Sequence, residues 1–246
     1  MNITLPTKWH QLTDRQLELV YRLFARELSS PEVKTLCLIR WNKIKVIGET
    51  GDKKGEYWLK HEKKLQRVSS RQLQAATEYL NFMDNIPDYP VRYSKIGRHK
   101  PLNADFAEVP FETYMYADNL FQGYLHTENM NLLKELVHIL YNSDKIKPEP
   151  HQCIMAFYWF AALKKMMANN FPHFFQPIGE VKDPDMLQSK SLHQTLMDAV
   201  NAQIRALTGG DVTKEPYIMK MDTIRALTEL DAKAQEADEM RKQYKA

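Results

Sequence analysis

At 246 residues the chain is long enough to bury a substantial core, as one large domain or two small ones. Eight glycines against abundant Leu, Met, Ala, Lys and Glu favour helix over sheet. Two distant cysteines, Cys37 and Cys153, argue against a disulfide scaffold or a zinc site, and the longest apolar stretch, Cys153 to Leu163, falls short of the ~20 residues that span a bilayer. The net charge of +3 is unevenly placed: residues 1–100 hold 19 Lys/Arg against 11 Asp/Glu, and residues 101–246 hold 15 against 20. Either the first half meets something anionic, or the halves attract each other or a neighbouring subunit. The start, MNITLPTKWHQLTD, lacks the basic and apolar runs of a signal peptide, so a cytoplasmic protein is expected.

The first helix is predicted from Thr13 to about Glu27, with a capping-box pair at Thr13 and Gln16 and with Leu17, Val20, Tyr21 and Phe24 on one face. Ser30 caps a second helix, with Pro31 in its first turn and Leu36 and Ile39 along it. A polar loop over 48–55 follows. The loose alternation of Tyr57, Leu59, Leu65 and Val68 around a charged tip, Lys60 to Lys64, predicts a two-stranded hairpin lying on the helices. Ser70 then caps a helix through Met83.

Residues 85–110 carry Pro87, Pro90, Pro101 and Pro110 and read as a linker. Beyond it, Phe111 to Leu125 is an aromatic helix and Thr127 caps the next, through Leu140. His151 to Asn170 has almost no polar face and is expected to be a central buried helix closed by Pro172 and Pro177, with 183–189 as loop. Leu192 onward forms a helix ended by Gly209-Gly210. Thr213 caps a last helix of about eight turns to Tyr244. The fold expected is mainly α and two-lobed, with one small hairpin: a basic N-terminal lobe over 1–84, a linker over 85–110 and a helical C-terminal lobe over 111–246.

Neither the eight histidines nor His151 with Cys153 show metal-ligand spacing, and no phosphate loop or nucleophile elbow occurs. No cofactor, metal or enzymatic chemistry is expected. Glu112, Asp118, Glu128 and Glu135 read as helix-surface charges. Two other features stand out. In the linker, Arg92, Tyr93, Lys95, Arg98, His99 and Lys100 interleave cations with a ring, a pattern that either grips phosphates and stacks a base or is a solvated linker. In the last helix Tyr217, Met221, Ile224, Leu227 and Leu230 form a core-quality stripe, which Ala234, Ala237, Met240 and Tyr244 continue weakly. A helix that outlasts its own apolar stripe reaches for something outside the domain. Twelve methionines add surface that adapts to varied apolar partners.

Three stretches, FETYMYADNLFQGYL over 111–125, FPHFF over 171–175 and NAQIRALTGGDVTKEPYIMKMDTIRALTELDA over 201–232, resemble proteins of gut-bacterial prophages and related mobile elements. The similarity covers most of residues 100–246. Such proteins tend to lie among tail-morphogenesis genes, and the resemblance implies a tail assembly chaperone in the bacterial host, holding a helical tape-measure protein. The basic N-terminal lobe is larger than in small chaperones of that kind. The leading expectation is a non-enzymatic assembly or scaffolding protein that grips an apolar helix with Phe157, Met166, Met221, Ile224, Leu227, Ala234 and Met240, with a homo-oligomer as a further expected partner state. The alternative is a nucleic-acid-binding accessory protein using Arg92, Tyr93, Lys95, Arg98 and Lys100.

Overall fold

A computed structural model describes residues 5–26, 28–51, 54–175 and 192–243. Among these residues the fold is mainly α, with nine α-helices and one small antiparallel sheet. The loop expected over 183–189 and Tyr244 lie outside them.

Local chemistry sets most helix starts. Helix α1 (Asp14–Phe24) begins at the expected box, in which Thr13 and Gln16 satisfy each other's backbone amides. Helix α2 (Ser30–Trp41) is capped by Ser29 rather than Ser30, because Ser29 stands three residues before Glu32; its amide and hydroxyl donate to Glu32 Oε2 at 2.9 and 2.7 Å. Helix α3 (Ser70–Thr77) repeats the shift: Ser69, not Ser70, pairs with Gln72. It tightens into a 3-10 turn, Glu78–Asp84, where a continuous helix was expected.

The polar stretch after α2 contains a strand that the sequence reading missed. Strand β1 (Lys45–Glu49) pairs antiparallel with β2 (Glu56–His61), and β2 with β3 (Lys64–Ser69), so the expected hairpin is the second half of a three-stranded meander. A bulge at Ile47 and the glycine at 48 break the alternation by which β1 would have been recognised. Leu59 is buried, while Val46, Ile47, Trp58 and Leu65 are exposed, so the sheet stands further out from the helices than expected.

Helix α4 (Phe111–Thr127) ends on Glu128 in the left-handed region (φ 54), and Asn129 instead of Thr127 caps α5 (Met130–Leu140). Helix α6 (Pro150–Asn170) is the central buried helix, with Met155, Trp159, Phe160 and Leu163 fully enclosed. Then come α7 (Leu192–Thr208), ended by Gly209 and Gly210 at φ 65 and 86, α8 (Glu215–Met219) and α9 (Thr223–Gln243). Asp211, not Thr213, caps the 3-10 turn before α8 by accepting from Thr213 N at 3.0 Å. The expected single last helix is thus split at 220–222. Tertiary pairing causes the break: Phe111 N donates to Met221 O at 2.8 Å, and Thr223 N donates to Val109 O at 2.9 Å.

One hydrophobic cluster runs from Trp9 to Leu230 and crosses the expected lobe boundary. Helix α1 packs directly on α6, with the rings of Trp9, Tyr21 and Phe24 at 5.9, 5.5 and 5.4 Å from Tyr158. On the α4 side of α6, Tyr114 stacks on Phe160 at 6.1 Å and Phe121 on Phe157 at 5.4 Å. The two expected lobes therefore share a core centred on α6.

Candidate functional site

The segment expected to be a linker is a packed strap. Residues 85–110 hold no regular helix, yet Tyr93, Ile96, Phe106 and Val109 are buried. Buried backbone without a helix must find other partners, and side chains of the core supply them. Trp9 Nε1 donates to the carbonyls of Phe82 and Asn85, both at 3.0 Å, and Trp159 Nε1 donates to Ala104 O at 2.9 Å. Tyr141 OH donates to Tyr93 O at 3.0 Å.

This packing overturns two of the roles expected in the basic run. The Tyr93 ring lies 6.2 Å from Tyr21 and 6.0 Å from His151 and is closed to a base; burial, then the Glu18 carboxylate, pushes its phenol far above the ordinary value. Arg92 Nε donates to Leu102 O at 3.1 Å, and its guanidinium lies 5.3 Å over the Trp159 ring, so this cation holds the strap in place. Lys95, Arg98 and Lys100 remain exposed around a tight turn in which Ile96 and His99 exchange backbone hydrogen bonds, both at 3.0 Å, with Gly97 at φ 58.

The strap also forms one wall of a cleft that no motif or spacing announces. Two adjoining cavities, about 620 and 510 Å³, share Trp9, His10 and Tyr89. Arg92, Asp105 and Glu108 line the first; Lys8, Asp88 and Lys165 line the second, where Lys165 and Asp88 pair at 2.7 Å. Tyr89 OH donates to Asp105 Oδ2 at 3.4 Å, and burial, then Asp105, raises its pKa. Phe106 and Glu108 take left-handed backbone (φ 63 and 61), a costly conformation for a bulky residue. Complete burial of the Phe106 ring and a 2.6 Å bond from Glu108 N to Asp222 Oδ2 hold it there. Among the described residues the lining contains no Ser, Thr or Cys. Trp9 and Tyr89 meet only through tertiary packing, so no linear spacing marks this cleft.

The residues expected to grip a partner do not line one groove. Phe157 packs on Phe121 and on Tyr124, at 5.4 and 5.7 Å, toward the C-terminal end of α4. Met221 and Ile224 lie by Phe111 at its N-terminal end, and Phe111 and Phe121 are about 15 Å apart along the helix. Met166 is half-buried against the core, and Leu227 is fully enclosed in it and closed to any partner. Asp118, expected on the surface, is half-buried and paired with Lys164 at 3.0 Å.

Ala234 and Met240 belong to a different kind of surface. Leu230 is the last buried residue of α9 among those described, and Asp231 Oδ1 closes the domain there by accepting from His173 N and Phe174 N, both at 2.8 Å. Beyond this point α9 continues for about 20 Å. Ala234 and Ala237 are half-buried and Met240 is 53% exposed. Helix α7 packs beside α9, α8 and α4, with Val200, Ile204 and Leu207 half-buried against the core cluster, Leu196 half-buried and Met197 44% exposed. Met197 near the start of α7 and Met240 near the end of α9 are both exposed outside the core cluster, and these two helix ends are the candidate arm.

The thiols of Cys37 and Cys153 are buried, and burial pushes them up to about 12 and about 11, which suppresses thiolate chemistry. Among the described residues no group of three or more His, Cys, Asp or Glu is placed to hold a metal ion, and no helix is long and apolar enough to cross a membrane. Comparison of the chain with protein-family models, with curated proteins and with solved structures finds no match.

Proposed function

We propose that this is a non-enzymatic assembly or scaffolding protein that holds an apolar helical partner on the arm made by α7 and the end of α9, working in the cytoplasm of a bacterial host. The observation that carries the reading is the burial profile of α9: a core stripe ending at Leu230, then a further stretch of helix with half-buried alanines and an exposed methionine. Isolated helices of this length are marginal in water. An arm whose apolar side is only half covered gains stability from a further helix laid along it, the helix-in-groove mode of recognition. Methionine at both open positions, Met197 and Met240, suits a partner face of variable shape. The resemblance to prophage proteins encoded among tail genes supplies the partner class, a helical tail protein such as a tape-measure protein.

The test is co-expression with a prophage tape-measure protein, followed by calorimetry of the purified pair. The reading expects a complex with a negative heat-capacity change of binding, lost in a chain ending at Lys233. A partner that binds the shortened chain equally well would remove the arm from the account.

A further inference from the structure

Independently of the arm, the outer face of the sheet carries chemistry that the fold does not use. The strand register sets Lys45 opposite Lys60, Lys60 opposite Leu65, Gly48 opposite Trp58, and Trp58 opposite Arg67. Directly opposed residues share a face, and this face points away from the buried Leu59. Trp58 is 38% exposed on it, an unusual place for so large a ring. A β-carbon at Gly48 would meet nothing within 4 Å, so the flank of Trp58 toward β1 is open.

The two lysines are the second observation. Like charges directly opposite on neighbouring strands destabilise a sheet, and no acid pairs with Lys45 or Lys60 among the described residues. Arg67, which lies across β2 from Gly48, is paired with Glu56, and the residue across β2 from Lys45 is the apolar Leu65. A phosphate lying between Lys45 and Lys60 would relieve the repulsion. Lys60 and Trp58 are same-face neighbours, about 7 Å apart along the strand, so a base attached to that phosphate reaches the open side of the ring.

We infer that this face binds single-stranded nucleic acid, with Lys45 and Lys60 holding the phosphate backbone and Trp58 stacking a base. Unpaired bases offer the ring that a duplex hides. A membrane surface fits less well: the exposed apolar residues Ile47 and Leu65 lie on the two outer strands, with Lys60 and Trp58 on β2 between them and Lys45 beside Ile47 on β1, so they form no continuous apolar patch. The site is distinct from the basic turn at Lys95, Arg98 and Lys100.

The experiment is fluorescence anisotropy of a labelled oligo(dT) of about 20 nucleotides with the full-length chain, titrated across salt concentrations. Binding is expected, weakening steeply as salt rises. K45A/K60A should weaken it and flatten the log–log salt slope by about 1.4, the contribution of two phosphate contacts on a single strand. W58A should weaken binding about tenfold or more, and W58F should restore much of it; circular dichroism checks that each variant is folded. K95A/R98A/K100A should leave the affinity within about twofold after allowing for general charge. The inference is overturned if the full chain fails to bind at about 50 mM salt, if the sheet variants bind like the parent, or if the turn variant alone abolishes binding. Binding to phosphatidylserine vesicles but not to oligo(dT) would replace it with a membrane surface.

Discussion

The strap over 85–110 and the arm of α7 and α9 are built on opposite terms. The strap has no regular helix but buries Tyr93, Ile96, Phe106 and Val109 and takes hydrogen bonds from Trp9, Tyr141 and Trp159. The arm is regular helix throughout, yet beyond Leu230 it buries no described residue of α9. Backbone regularity and contribution to the core are therefore separate properties here. A helix satisfies its own amides and can stand out from a domain; an irregular strap must be held by the domain at every buried amide. What an irregular strap fixes is the shape of the cleft beside it, and what a protruding helix offers is surface.

The sharpest way to break this contrast is Phe106→Ala. If the strap belongs to the core, removing a fully buried ring from a loop should cost about 3–5 kcal/mol in urea unfolding, as in a helix interior. A loss below about 1 kcal/mol would make the strap a covering and not a core element. Tyr141→Phe comes next. It leaves Tyr93 O without its donor and should cost about 1–3 kcal/mol.

A pH effect follows from His151, which is buried under the strap against Tyr93. Burial, then Arg22, holds its pKa below the ordinary value, against the upward pull of Glu149 and Glu18. The folded state therefore favours the neutral ring. The stability this contributes is complete above the unfolded value of about 6.5 and is lost as pH falls through the folded value. Urea midpoints measured between neutral and mildly acidic pH should fall, and His151→Gln should flatten that dependence. The smallest effects belong to the arm. Met240→Ala, and a chain ending at Lys233 that keeps Asp231, should unfold within about 0.5 and 1 kcal/mol of the parent.

The sequence made the core helices legible because their chemistry is local. Thr13 with Gln16 and the apolar run of α6 are short-range signals, and both elements stand where expected. Two caps were misplaced by one residue for a single reason: Ser29-Ser30 and Ser69-Ser70 each offer two serines, and the one three residues before Glu32 or Gln72 completes the reciprocal pair. What the sequence hid depends on distant contacts. Proline-rich composition made 85–110 look like a tether, because the carbonyls that anchor it are claimed by Trp9, Tyr141 and Trp159, up to 76 residues away. The break at 220–222 comes from Val109 and Phe111 in the same way. In the candidate interface, the exposed stripe of α9 was readable from periodicity, whereas α7 as its companion and the cleft at Trp9 and Tyr89 were not.

The most direct measurement is amide hydrogen exchange on the full-length chain, comparing the strap with the end of α9. The amides of Leu102, Phe106 and Val109, bonded within the strap or to Leu140, should exchange only through global unfolding, while those of residues 234–243 should exchange through local fraying, orders of magnitude faster. A helical partner should slow the second set and leave the first unchanged. If residues 234–243 are protected as strongly as the strap in the isolated monomer, the arm is core, and the account of it as a docking surface is contradicted.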